Sequence, residues 1–545
     1  MDKRAVLAIV LSLALVLLYQ FLFVEPPKPV DRTAEVRQEE SGDVDEVDRS
    51  SADLLRGREG DSAGVKRALG EPDRGQVKTR EILVESPLYT ALLSTKGGGV
   101  TSFKLNKYRM TLDEDSELIE LVDIHEGMRL PLTVTFPDSS IDIPAEAVFE
   151  ADREGLCLAD ERGEERIVFT WSYPGEVKVE KIYTFRSDSY TIDLEVRVHN
   201  LAKSTIIQNV GISWSQYMDP EARKDRFSHI GPVAFVQGEM ITKDAKKLEQ
   251  ETHLGPQVLW AGFQSKYFIA SIISQQPSLT SMTITKIPYN NEVSVMLRGP
   301  RLMIPPGQSG IFNYTCYLGP KEYDTLKKGG VFLEASIDFG RWIKWLALPL
   351  LKVLKFINNY VNNYGLAIII LTIFIKILFW PLGTISYKSM KQMQKLQPEM
   401  ARIREKYKND KVKLQEETMA LYRAHKVNPL GGCLPILIQI PVFFGLYRAL
   451  LYSIELRHSP FVFWIQDLSA KDPYYITPIV MGATMFLQQK MMPAPGANEM
   501  QAKLMTWMPI IFTFLFLNFP SGLVIYWLFN NIISVGQQYW ISKHT

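Results

Sequence analysis

The run from Asn363 to Pro381, NYGLAIIILTIFIKILFWP, decides how the rest of the chain is read. It is apolar enough and long enough to cross a bilayer core, for which a helix needs roughly 20 such residues. One residue interrupts it, Lys376. A lysine at the centre of a spanning helix costs roughly 2.5–3.5 kcal/mol on insertion scales, and such residues generally face a partner or a wet cavity. Lys376 also lies near the end of the run, where a long stem can snorkel to an interface. From this run alone, a functional cation and a snorkelling one stand equally open.

Working outward, the chain has 545 residues, enough for more than one domain. It is 46% hydrophobic, and those residues concentrate in long runs at the start and in the last third. That distribution predicts a membrane protein carrying a large water-soluble part rather than a soluble enzyme. Lys3 and Arg4 precede the apolar run 5–24, which is span-length and leaves through Tyr19, Phe21 and Phe23 into Glu25-Pro26-Pro27. An uncleaved anchor (1–24) with its basic end in the cytoplasm fits better than a cleaved signal peptide. Residues 25–80 have no aromatic residue and are rich in Asp, Glu, Arg, Ser, Gly and Pro. Such a composition buries too little to fold and predicts a flexible linker.

Residues 81–335 read as β structure. In 190–198, Ile192, Leu194, Val196 and Val198 alternate with Asp193, Glu195 and Arg197, a half-buried strand. The segment 177–185 precedes it through Arg186-Ser187-Asp188-Ser189, a hairpin signal, and 281–287 meets 292–297 through Asn290-Asn291. Many short strands with such punctuation predict an antiparallel sandwich, outside the cytoplasm if the anchor begins inside. Cys157, Cys316 and Cys433 are widely spaced, with no disulfide framework or metal-ligand spacing. His125, His199, His229 and His253 are scattered and read as surface or packing residues.

Residues 336–357 are amphipathic, with Trp342, Trp345, Lys344, Lys352 and Lys355 suited to a membrane interface. Beyond Pro381, residues 382–428 carry eleven basic and five acidic side chains, a net +6 that marks the cytoplasmic side. Met393, Leu396, Met400, Ile403 and Tyr407 recur at helical spacing, Asn409-Asp410 makes a turn, and Leu414, Thr418 and Leu421 stripe a second helix. The expectation is an antiparallel helical hairpin over 384–427. Its basic residues, among them Lys388, Lys391, Arg402, Arg404 and Lys411, either meet lipid head groups or ribosomal RNA or serve only as a topology signal. Further spans are expected over 433–452, 473–489, 504–518 and 523–540. The predicted fold class is an α-helical membrane protein with six transmembrane helices, five of them in a C-terminal core (358–545), plus a large extracytoplasmic all-β domain, both termini cytoplasmic.

Polar residues recur inside these spans. Thr372 lies one turn before Lys376, Gln439 sits in 433–452, and Asn530, Ser534 and Gln538 repeat every four residues. Interhelical hydrogen bonding accounts for Gln439 or Asn530. It accounts poorly for Lys376, because none of the five C-terminal spans contains an Asp or Glu. An unpaired cation there needs water or an anionic visitor, which favours a hydrated cavity. The spans contain no HExxH, GxSxG or carboxylate pair for an enzyme. The remaining reading is a docking groove for polypeptides entering the membrane, in which methionines such as Met481 and Met485 adapt to varied apolar helices.

Three stretches carry a resemblance: ALYRAHKVNPLGGCLPILIQIPVFFGLYRAL (420–450), DPYYITPIVMGATMFLQQKM (472–491) and MPIIFTFLFLNFPSGLVIYWLFNN (508–531). They are similar to the signature of the bacterial YidC/Oxa/Alb insertases, and the layout resembles the Gram-negative form. The resemblance implies insertion and folding of newly made inner-membrane proteins through a cytoplasm-open groove, alone or beside the Sec translocon. It also implies a periplasmic domain like the galactose-mutarotase supersandwich, with no sugar chemistry. Implied partners are nascent membrane proteins, the Sec translocon, ribosomes and membrane lipids. No cofactor, metal or small-molecule substrate is expected. The family's groove carries a basic residue, usually Arg, and Lys376 falls at that position; lysine keeps the charge but loses the planar fork of donors. Thr372 matches a groove-lining position, and Trp527, Phe443 and Met481 match positions associated with substrate contact. With little chain beyond the last span, ribosome contact is expected to rest on the hairpin. An assembly chaperone dependent on the Sec translocon, or a channel or transporter, are the alternatives.

Overall fold

The computed structural model describes residues 67–70, 78–144, 147–158, 163–219, 229–248, 251–340, 342–425, 427, 434–491 and 499–544. The expected anchor over 1–24 and Cys433 lie outside the described residues. Of the linker expected over 25–80, residues 67–70 and 78–80 are described. Arg67–Ala68 pairs in parallel with Ile141–Asp142, Leu69 is buried, and Arg67 meets Glu176 at 2.6 Å.

The expected β region is built on a nine-stranded antiparallel sheet. Its order is Glu239–Thr242, Gly231–Val236, Val258–Gln264, Phe268–Ser274, Ser309–Pro320, Thr191–Asn200, Val177–Arg186, Glu164–Tyr173 and Glu150–Ala151. Both hairpins read from the sequence form. Val177–Arg186 pairs with Thr191–Asn200, whose Ile192, Leu194, Val196 and Val198 are buried, and Ser281–Ile287 pairs with Glu292–Ile304. Two five-stranded sheets cover the large one. The first (Glu251–Leu254, Ser281–Ile287, Glu292–Ile304, Ile206–Tyr217, Thr133–Thr135) packs over Val258–Gln264 and Phe268–Ser274. The second, built around Tyr89–Ser94 and Val100–Arg109, is tied to Val177–Arg186 by hydrogen bonds from Tyr183 to Gly98 O and from Tyr89 to Arg186 O. Trp171, Trp214 and Trp260 are fully buried in the core. Cys157 is exposed and Cys316 buried, both free thiols.

The helices follow: α1 (Tyr323–Lys328), α2 (Lys344–Val361), α3 (Tyr364–Leu378), α4 (Trp380–Lys395), α5 (Gln397–Lys406), α6 (Lys411–Ala424), α7 (Leu434–Tyr452), α8 (Ile476–Met491), α9 (Glu499–Phe516) and α10 (Ser521–His544). α2 is the expected amphipathic helix: Ala347, Leu351 and Leu354 are buried, while Trp345, Phe356 and Tyr360 face out. It packs on α3 and α7, and α10 packs on α3 and α8.

The run expected as one span over 364–381 is divided between two helices. α3 stops at Leu378, and α4 starts at Trp380 after a 64° bend. Pro381 has no N–H to bond the carbonyl of Ile377, so the ladder breaks there, while its fixed φ suits the first turn of a new helix. Among the described residues no single helix is long and apolar enough to cross a membrane; α3 and α4 together reach that length and composition. The hairpin forms, with α4–α5 as its first leg and α6 as its second. Met393, Leu396, Met400, Tyr422 and Val427 make a small separate core, and Asp410 caps α6 through Lys413 N–H.

Candidate functional site

α3 begins with a strong signal. The side chain of Asn363 accepts from Leu366 N–H and donates to Phe461 O at 2.9 Å, capping the helix and pinning its start to the loop after α7. With the start pinned, Ala367, Ile368, Leu371, Thr372 and Ile375 turn inward, and Phe374, Ile377 and Leu378 turn outward. Lys376 falls between the two faces, half-buried.

Four of the residues singled out in the sequence meet. Lys376 Nζ donates to Ser534 Oγ at 2.7 Å, and Ser534 Oγ donates to Asn530 O one turn earlier, also at 2.7 Å. Gln439 Nε2 of α7 donates to Asn530 Oδ1 at 2.6 Å. One polar chain therefore crosses from α3 over α10 to α7. Among the described residues no carboxylate stands within ion-pair distance of Lys376, whose hydrogen-bond partner is a neutral hydroxyl. Thr372 shares the face but spends its hydroxyl on Ile368 O of its own helix, and it is buried.

Phe443 and Trp527 touch edge to face at 4.6 Å, in an aromatic cluster with Tyr447, Phe512, Phe516 and Tyr526. Met481 is fully buried within α8. Of the basic hairpin residues, Lys388 and Arg402 are exposed, Arg404 is half-buried and Lys411 opens α6. Lys391 reaches the other way, to Ser542 O of α10 at 2.7 Å.

Sequence reasoning passed over a second polar row on α10. Asn531 Nδ2 meets Thr484 Oγ1 of α8 at 3.5 Å, and Gln537 Nε2 meets Trp380 O at 3.1 Å. The doublets Asn530-Asn531 and Gln537-Gln538 were the available signal: adjacent polar residues in an apolar helix address two neighbours, not one. Gln538 Oε1 and Trp527 Nε1 are enclosed with no hydrogen-bond partner among the described residues.

In the β domain the histidines hold packing contacts, as expected. His199 joins Glu180 and Ser309 across neighbouring strands, His229 meets Pro232 O, His253 meets Thr283 and His125 stacks on Tyr217. No cluster of His, Cys, Asp and Glu suited to a metal occurs among the described residues.

A large β domain followed by apolar helices, one of them carrying a half-buried lysine, makes a protein of two unlike parts. The sequence comparisons say which family combines them. Residues 356–545 match the family model described as 60Kd inner membrane protein, and residues 81–353 match the YidC periplasmic domain. "Membrane protein insertase YidC" of Syntrophus aciditrophicus is 56% identical over 546 residues, covering 100% of both chains. The protein of the same name from Geobacter metallireducens is 42% identical, covering 100% of this chain and 98% of its own. The chain belongs to the YidC family of inner-membrane proteins. A crystal structure of an active YidC insertase with its first transmembrane domain resolved overlays at TM-score 0.37 and 19% identity, covering 86% of this chain and 95% of that one. Membership rests on the sequence relatives, not on that overlay.

Proposed function

We propose that this protein is a membrane protein insertase, which inserts and folds newly made inner-membrane proteins through a hydrophilic groove open to the cytoplasm. The observation that carries the reading is the polar chain Lys376–Ser534–Asn530–Gln439 set inside helices that contain no carboxylate. A cation whose partner is neutral retains most of its attraction for an anion. Acidic residues in a substrate's translocating segment are thus drawn toward Lys376. The passenger's apolar helix then leaves along the outward face of α3, where Phe374, Ile377 and Leu378 are exposed, and past Phe443 and Trp527. No bond is made or broken in the passenger, so the activity is binding and positioning rather than enzymatic catalysis.

In this reading the chain spans the inner membrane six times, with both termini in the cytoplasm, the β domain in the periplasm and α2 at the outer interface. The hairpin surface bearing Lys388, Arg402 and Arg404 faces the cytoplasm, where it meets the ribosome or anionic lipid head groups; the Sec translocon is a lateral partner. The test is reconstitution in liposomes without the translocon. Lys376→Ala is expected to slow insertion of a substrate with an acidic tail roughly tenfold, about 1.4 kcal/mol at the barrier, and Lys376→Arg to retain it. Equal rates for Lys376→Ala and wild type reject the charge role. Insertion seen only when the translocon is supplied selects the chaperone alternative.

A further inference from the structure

The bend between α3 and α4 lies three residues beyond Lys376, and one side chain holds it. Gln537 of α10 donates through Nε2 to Trp380 O, the carbonyl at the start of α4, at 3.1 Å, and lies 3.3 Å from Thr384 Oγ1. Thr384 Oγ1 itself donates to Trp380 O at 2.9 Å. Gln537 is buried, so its amide is a built contact and not a surface encounter.

Gly383 makes room for it. A Cβ at Gly383 would stand 2.9 Å from Gln537 Nε2 and 3.1 Å from Oε1, so the amide would have to move aside. A glycine inside a helix costs roughly 1 kcal/mol against alanine. Here it lets the amide reach the backbone of α4. Lower down, Lys391 bonds Ser542 O near the carbonyl end of α10, and Trp380 packs beside Trp540 at 6.3 Å. α4 touches both α10 and α7. Those are the two helices whose Asn530 and Gln439 complete the polar chain from Lys376. The bent helix therefore lies across the hairpin-side end of that chain, fastened to α10.

We infer that Gln537, seated in the gap at Gly383 and backed by Lys391, is a positioning residue that latches α4 over the hairpin-side mouth of the groove, and that a polypeptide reaches Lys376 only when this latch lets go. The inference rests on the insertase reading for its consequence, but not for its geometry. Release frees Gln537 to turn toward the passenger while Trp380 O keeps its bond from Thr384, so the open state leaves that carbonyl paired. That pairing makes the latch reversible and not a permanent brace.

The test uses the full chain in lipid. Cys157, Cys316 and Cys433 are replaced, and spin labels are placed through Gln394→Cys on α4 and Lys543→Cys on α10, both exposed positions. Gln537→Glu keeps the shape but removes the donor, and is expected to shift the label-to-label distance from one narrow population toward a longer one. Loss of one or two hydrogen bonds corresponds to a roughly five- to thirtyfold rise in the open-to-latched ratio. Gly383→Ala should do the same although alanine is the better helix former, because the new methyl displaces the flexible Gln537 amide from Trp380 O and so unfastens α4. Gln537→Ala combined with Gly383→Ala should open the site no further than Gln537→Ala alone. An unchanged distance in Gln537→Glu, or additive effects of the two alanine changes, overturns the latch. Insertion into liposomes is followed in the same variants. A longer distance with faster insertion supports both readings. A longer distance in a protein that inserts nothing, wild type included, rejects the insertase reading and leaves the latch standing.

Discussion

Lys376 and Lys181 are both taken out of bulk water, and their surroundings differ in kind. Lys181 is fully buried in the β domain, and its three donors meet Gly97 O at 3.0 Å, Gly98 O at 2.5 Å and Leu132 O at 2.8 Å. It staples two loops to strand Val177–Arg186, with Tyr183 bonded beside it to Gly98 O. Burial pushes its ammonium down from 10.5 to about 7. The unfolded chain therefore binds a proton that the folded chain releases between about pH 7 and 10.5, and stability rises with pH across that window. Lys321, also buried and held down to about 7, adds a rise of the same sign, so Lys181→Met should reduce the slope by about half and, by orphaning three buried carbonyls, destabilise the domain by about 3 kcal/mol. Denaturant titrations of the full chain in detergent, read from the buried tryptophans at several pH values, check both outcomes. An unchanged pH slope in Lys181→Met would assign the slope to another group. The residue was legible but passed over: Val177, Val179, Lys181, Tyr183 and Phe185 share one parity of the strand, which places the lysine inside. Lys376 stood out because a charge in a wholly apolar run needs no parity argument.

At the scale of elements, α3 is governed by its two ends. Asn363 caps it and ties it to Phe461 O, and Gly365 admits the Phe461 ring, which a Cβ would meet at 2.1 Å. Asn363→Ala is expected to cost about 1 kcal/mol at the cap, more because Phe461 O also loses its donor. The measurement is amide exchange in the first turn of α3, which should quicken while the second half of the helix, packed on α10, is spared. Uniform acceleration along α3 would instead point to loss of its packing. The far end was only partly legible. Pro381 announced a boundary, but a boundary and a bend look alike in sequence. That the chain continues as α4 and turns back onto α10 depends on Gln537 and Gly383, which are more than 150 residues apart. The hairpin was easier, since its stripe at three- and four-residue steps is a local property, and Met393, Leu396 and Met400 fall inward as that stripe requires.

At the scale of the whole molecule, the β domain and the helical core are joined by a charged seat. Lys355 of α2 meets Asp324 at 2.7 Å, Glu455 at 3.1 Å and Glu322 at 3.3 Å. These carboxylates come from the start of α1 and from the segment after α7, and together with the hydrogen bond that Lys355 donates to Asp324 they raise its ammonium above its usual value despite burial. Arg448 adds a bond to Asp338 at 2.8 Å, and Arg457 donates to the carbonyls of Arg109 and Met110. Lys355→Ala leaves three clustered carboxylates without their cation and should loosen the seat by about 2 kcal/mol. Faster proteolysis near α1 and residues 455–460, with the separate domains still folded, is the expected result. Added salt should narrow the difference between variant and wild type by screening the carboxylates. A cleavage pattern identical to wild type at low salt would show that the domains are held by apolar packing.

The sequence by itself determined the order and nature of the parts: a β domain, an amphipathic helix, a hairpin and apolar helices with one lysine among them. Periodicity, apolar length and charge bias are properties of neighbouring residues, so they survive without a fold. Only the tertiary structure decided that Lys376 meets Ser534, that Gln439 meets Asn530 and that Gln537 meets the Trp380 carbonyl. Those meetings depend on how each helix is rotated and where it bends. Rotation and bend are set by side chains packing across the bundle from positions far apart in the chain.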